Sequence, residues 1–321
     1  MTYKKKLAVL SATIAVLAVV YIVTFIFDPE RAGSRSDAYT WLEQGQKDRI
    51  SGISIASVHE TISLERKEGK WFVSRDGKNY PARDVRVEDF IETLTKRAPY
   101  PVRTSSASSH ERLSLTEGTA TRVTVTGGAG PLLLNLLIGQ EDITGQNVYL
   151  RRQGNNEVRS GADIFSVYTG STINSWFNLR LFPETESGKL DAAAVQRLTV
   201  YQEAHDDEIA PSPQIFTRSG KEWTLNADIA EPDMDKVNTY IRNILNTTGN
   251  DFVDNVRPSD PLFNNSRLVL EFGDGSIRTI RLGPEEDGSR LATVTGSDLV
   301  FSLPAWTSQR LFAEADFFEK Q

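Results

Sequence analysis

Trp71 and Trp223 sit in the same short pattern, and that pattern limits what this chain can fold into more than any other feature. In the first copy Ile53, Ile55 and Val58 begin a strand, Ile62–Arg66 form a second and Gly69–Val73 a third. The turn Lys67-Glu68-Gly69-Lys70 makes the last two a hairpin. In the second copy Leu198–Tyr201, Gln214–Arg218 and Lys221–Leu225 follow in the same order, with Ser219-Gly220 at the turn. A stretch of helical period comes next in each: Val87, Phe90, Ile91 and Leu94 after Asp84, then Met234, Val237, Tyr240, Ile241, Ile244 and Leu245 after Asp233. Spacings of three and four place each apolar set on one helix face, and Asp233 reads as an N-terminal cap.

Strands then return as Arg122–Val125 and Leu132–Ile138, matched by Leu268–Phe272 and Ile277–Leu282, with Gly139 and Gly283 just beyond. Each copy closes on a short apolar strand and an aromatic tail, Trp176-Phe177 in one and Trp306, Leu311-Phe312 and Phe317-Phe318 in the other. Two similar units are expected, 49–185 and 189–321, joined through the polar segment Pro183–Gly188. Each is long enough for a core of its own.

Ahead of them, Leu7–Phe27 carries no charge and as a helix is about 31 Å long, enough for a bilayer core of about 30 Å. Lys4, Lys5 and Lys6 precede it while Asp28 and Glu30 follow, so the positive-inside rule puts the N-terminus in the cytoplasm. The run is long for a signal peptide and has no small-residue cleavage site. The expectation is a basic tip (1–6), a single-pass anchor in a bacterial inner membrane (7–27), a polar stalk (28–48), and a bulk outside the cytoplasm. Ser11, Ala12, Ala15 and Ala18 form a small-residue stripe on which the anchor could pack against another span. The fold class expected is therefore α+β: an N-terminal transmembrane helix, then two units, each a mainly antiparallel sheet with one long packed helix.

Several of these motifs resemble a known family. They are the N-terminal span, the hairpin ending Glu68-Gly69-Lys70-Trp71-Phe72-Val73, Tyr80-Pro81-Ala82 leading into a helix, and Leu136–Gly139 followed by Val148-Tyr149-Leu150-Arg151. Together they resemble the membrane-anchored proteins of domain-of-unknown-function family 4340, over most of 50–180 and more weakly over 190–318. The resemblance implies an extracytoplasmic bacterial protein, often encoded with gliding-motility-type ABC transporter components, and brings no established catalytic residues. The serine-rich stretch Thr104–Ser109 departs from the family pattern.

Little in the chain points to chemistry. It has no cysteine and three histidines among 321 residues, which excludes thiolate metal sites and a cysteine nucleophile. No Gly-x-Ser-x-Gly occurs, and Gly127–Pro131 lacks the Gly-Lys-Ser/Thr of a phosphate loop. His59-Glu60 and His110-Glu111 lack the second histidine of a zinc-binding helix. Asp206, Asp207 and Glu208, beside His205, are the densest candidates for a divalent cation, yet they lack the glycine-punctuated spacing of a calcium loop, so no metal or other cofactor is expected. Trp71 and Trp223 read as repeat-core aromatics rather than stacking platforms. A net charge of −7 is a poor match for nucleic acid. These features point to a non-catalytic accessory or scaffold protein contacting the membrane through its one span and protein partners of a transporter or envelope complex. Alternatives are a binding module for an envelope glycan or peptide and, third, a hydrolase.

Overall fold

The computed structural model describes residues 17, 38–184, 188–203, 211–226, 232–264 and 266–320. The chain divides into two compact units, Met1–Phe177 and Asn178–Gln321. Period-two alternation governs both: in Thr121–Gly127, Val123 and Val125 are buried between half-exposed Arg122, Thr124 and Thr126.

In unit 1 the strands are β1 (Ala38–Tyr39), β2 (Ile50–Ala56), β3 (Thr61–Lys67), β4 (Lys70–Arg75) and β5 (Lys78–Pro81). Helix α1 (Asp84–Thr95) follows, then β6 (Ala98–Pro99), β7 (Val102–Thr104), β8 (Thr121–Gly127), β9 (Leu132–Glu141), β10 (Asn147–Arg152), β11 (Val158–Ala162) and the single turn α2 (Ser166–Thr169). Nine strands form one sheet in the order β5-β4-β3-β2-β8-β9-β10-β11-β7, and β1 pairs with β6 separately.

Unit 2 holds β12 (Val195–Tyr201), β13 (Gln214–Ser219), β14 (Glu222–Leu225), α3 (Met234–Leu245) and β15 (Asp251–Phe252). It continues with β16 (Ser266–Phe272), β17 (Ile277–Glu286), β18 (Ser289–Val294), β19 (Val300–Leu303) and α4 (Ala305–Leu311). Its sheet runs β14-β13-β12-β16-β17-β18-β19-β15. Position for position this is the order of unit 1, with no counterpart of β5 among the described residues.

The expectation of α+β units behind a transmembrane helix is corrected by this architecture. The described residues form three mostly antiparallel sheets, and helices are a minor part. Neither α1 nor α3 exceeds 12 residues, about 18 Å of rise, so helical periodicity at two stretches carries less of the core than the strands do. Among the described residues no helix is long and apolar enough to cross a membrane, so the single-pass inner-membrane placement is not supported either. The expected span 7–27 lies outside the described residues apart from Leu17, as do Ser11, Ala12, Ala15 and Ala18.

Two boundaries also fall differently. Trp41 and Leu42, assigned above to the polar stalk, are buried in unit 1, where the Leu42 amide donates to the Leu94 carbonyl at 3.0 Å. Residues 178–184 pack with unit 2, as the Leu181 amide donates to Thr247 O at 3.0 Å and the Gly249 amide to Leu179 O at 2.8 Å.

The tryptophans fix each helix on its sheet by the same contacts. Trp71 is 2% exposed and Trp223 1%. The Trp71 indole N–H donates to Glu88 Oε1 at 3.3 Å and that of Trp223 to Asn238 Oδ1 at 3.0 Å, both acceptors being fifth in their helix. Cross-strand partners Arg66 and Arg218 lay their guanidinium groups over the two rings, at 5.9 and 5.6 Å.

A segment between helix and returning strands crosses the far end of each sheet, and a glycine lies beneath it. In unit 1 Leu113, Leu115 and Ala120 pack on Leu137 and Val158, and a Cβ at Gly139 would sit 2.2 Å from the Leu113 carbonyl oxygen. In unit 2 a Cβ at Gly283 would meet the tip of Leu262 at 2.8 Å. Backbone cannot yield as a leucine methyl can. Gly139→Ala is therefore expected to cost about 1–3 kcal/mol in urea unfolding and Gly283→Ala distinctly less; equal costs would contradict the crossing geometry. For the tryptophans, a cycle of Trp223→Phe and Asn238→Ala should show coupling of about 1 kcal/mol, and additive effects would mean that the indole bond does not hold α3.

Candidate functional site

The seam between the long helix and the C-terminal tail differs between the units, and the difference makes the site. In unit 1 the Arg83 amide donates to Trp176 O at 2.7 Å, bringing the tail against the start of α1. Arg86, third in α1, then closes the seam. Its guanidinium lies 4.8 Å from the Trp176 ring centre and 5.3 Å from that of Tyr168, and its Nη2 donates to Val167 O and to Ser171 Oγ. Desolvation lowers its pKa from the usual arginine value.

Unit 2 starts the same way. The Asp233 amide donates to Phe318 O at 2.7 Å, and the Asp233 carboxylate caps α3 by accepting from the amides of Asp235 and Lys236. Val237, Tyr240, Ile241, Ile244 and Leu245 form the buried face. Tyr240, at the position of Phe90 in α1, donates its hydroxyl to Leu311 O at 2.7 Å and so ties α4 to α3. Burial pushes its phenol pKa far above the usual value.

Lys236 stands where unit 1 has Arg86, and the seam stays open. Its ammonium donates to Glu319 O at 3.0 Å and lies over the Phe317 ring, 5.7 Å from its centre. A groove of about 780 Å³ results between α3 and α4. Trp306 and Phe317 line it while 58% and 53% exposed, and Arg310 rests 5.2 Å from the Trp306 ring centre. Two half-bare aromatic rings, each beside a cation, form a surface that can bury apolar groups and pair with anions.

The residues singled out from sequence lie elsewhere. Trp71 and Trp223 are buried in the two sheets. Asp206, Asp207 and Glu208 are outside the described residues, as is His205. His59 lies in the turn after β2, where its amide donates to Ser57 Oγ, and His110 sets its ring against the Asn156 carbonyl at 3.2 Å. Among the described residues no three acidic, histidine or cysteine side chains are grouped so as to hold a metal. Sequence reasoning places Trp306 and Phe317 in an aromatic tail without separating buried from exposed members; Phe318 is buried and its neighbour is not.

Removing the Tyr240 hydroxyl by Tyr240→Phe leaves the buried Leu311 carbonyl without its donor. It should cost about 1–2 kcal/mol in chemical unfolding, and unchanged stability would show that α4 is held by other contacts.

Comparison with known proteins bears on this molecule through one family. No curated protein and no solved structure matches the chain. The sequence pattern of the domain of unknown function DUF4340 matches residues 71–265, from β4 of unit 1 to the start of β16 in unit 2. The match covers more than half of its length, and the chain belongs to the DUF4340 family.

Proposed function

We propose that the protein is a non-catalytic binding subunit, an accessory or scaffold protein that holds a partner polypeptide in the groove between α3 and α4. The observation that carries this reading is the pair of half-exposed aromatics, Trp306 and Phe317, each beside a cation in a groove of about 780 Å³. Bare aromatic surface is unfavourable in water, and Trp, Phe and Arg are enriched in the buried centres of protein interfaces. The volume lies within the usual range of ligand clefts. Arg310 and Lys236 lie against the rings and crowd the flat faces on which a sugar would stack, whereas a side chain entering between α3 and α4 meets ring edges and cations together.

The transporter setting rests on the family resemblance. Motifs such as Glu68–Val73 and Leu136–Gly139 resemble proteins encoded with gliding-motility-type ABC transporter components, so a transporter or envelope complex is the partner this reading names.

Affinity recovery from native cells with wild type and Trp306→Ala tests it. Wild type should bring down a transporter permease or ATPase polypeptide. The alanine variant should bind the partner at least thirtyfold more weakly, the effect of losing an interface anchor worth about 2 kcal/mol. Recovery of a glycan in place of a polypeptide, or of the same polypeptide by both forms, would refute the proposal.

A further inference from the structure

The groove continues into a smaller recess whose chemistry differs from the rest of this acidic chain. Asn243, Trp306 and Arg310 line both spaces, and the recess of about 200 Å³ runs on past Thr248 and Thr307 toward the C-terminal end of α3. The large groove carries Asp233 and Asp235 at the other end of that helix, but among the described residues no carboxylate lines the recess. Asn246 and Thr247 spend their donors on the Arg242 and Asn243 carbonyls, and the Arg310 guanidinium, the Asn243 amide and the Thr248 and Thr307 hydroxyls are the further donors of its lining. Thr307 supplies a second, independent sign. It is 6% exposed, and its Oγ1 is buried without a hydrogen-bond partner among the described residues. Most buried hydroxyls in folded proteins are bonded, so an orphan beside a cavity indicates a group that arrives from outside.

We infer that the partner segment presents a carboxylate next to an apolar side chain. The carboxylate enters the recess, where Arg310 supplies a charge-assisted hydrogen bond and the Thr307 hydroxyl turns to donate a second. The neighbouring apolar side chain lies on Trp306 and Phe317. The Asp233 and Asp235 carboxylates at the far end of the groove repel a second acid, which fixes the direction in which the segment lies. This inference rests on the groove being a polypeptide-binding site and adds the identity of the group it selects.

The test uses the full chain, immobilised, with a phage-displayed library of random dodecapeptides as the probe. Enriched peptides should carry Asp or Glu beside Phe, Leu, Ile or Trp, and their binding should weaken as salt rises. Arg310→Gln should lower the affinity of a selected peptide about tenfold and erase the preference for the acid over its amide. Thr307→Val should also weaken binding, yet leave the free protein as stable as wild type or more so, because the lost hydroxyl had no partner there. A Thr307→Val protein that binds like wild type, or peptides that bind through Trp306 with no acid, would overturn the carboxylate inference and leave the groove reading standing. No peptide binding that depends on Trp306 would overturn both. A concentration-dependent dimer abolished by Trp306→Ala would assign the groove to a second copy of the chain and overturn the inference.

Discussion

In both units the buried indole N–H of the hairpin tryptophan is donated to the long helix. Trp71 reaches Glu88 and Trp223 reaches Asn238, each the fifth residue of its helix. This fixes the rotation of the helix about its axis, because only one orientation puts that acceptor at the indole while burying the apolar residue three positions on, Ile91 or Ile241. The third residue of the helix is thereby set at the seam with the C-terminal tail, as Arg86 in one unit and Lys236 in the other. What happens at that seam therefore depends on a hydrogen bond inside the sheet packing.

The two seams show how one scaffold gives a closed joint and an open one. An arginine has a planar head that lies over both Tyr168 and Trp176 and still donates to Val167 and Ser171. A lysine has a point charge, strongly hydrated, and Lys236 satisfies it on the Glu319 carbonyl at the edge of the seam. Among the described residues nothing of comparable width fills the space beyond. The groove goes with a one-residue difference in head-group shape, together with a tail helix that is longer in unit 2, α4 (Ala305–Leu311), than in unit 1, α2 (Ser166–Thr169).

Alternation and helical spacing make the elements around each tryptophan legible in sequence, because Val123 and Val125, or Val237, Ile241 and Ile244, repeat at the period of the structure they build. Trp41 and Leu42 escape that logic, since two isolated apolar residues in a polar stretch carry no period, and their burial depends on Leu94, far away in the chain. Phe317 and Phe318 are equivalent by composition, and it is Phe318, whose carbonyl accepts from the Asp233 amide, that turns inward against Phe216 and Tyr240. The Leu7–Phe27 run reads as a span from composition alone, and among the described residues no helix is long and apolar enough to cross a membrane. Thr307 has no sequence signature at all. A threonine on a short helix becomes an orphan donor only when α4 is laid against α3.

The strand order has a kinetic side. In each sheet the central pairing joins strands that are distant along the chain: Ile55 meets Val123 and Val200 meets Leu268, across intervals of equal length. The hairpins on either side, β2 to β4 and β8 to β10 in unit 1, close through short turns and need no help from each other. Their joining has to close a loop that includes the long helix and the crossing segment, and the entropy of that closure is lost before the central contacts return it. Two preformed blocks meeting at the middle of the sheet is thus expected to be the slow step of each unit. Since the interval is the same in both, the two halves of the chain face the same topological delay, taken one after the other as the chain emerges from the ribosome.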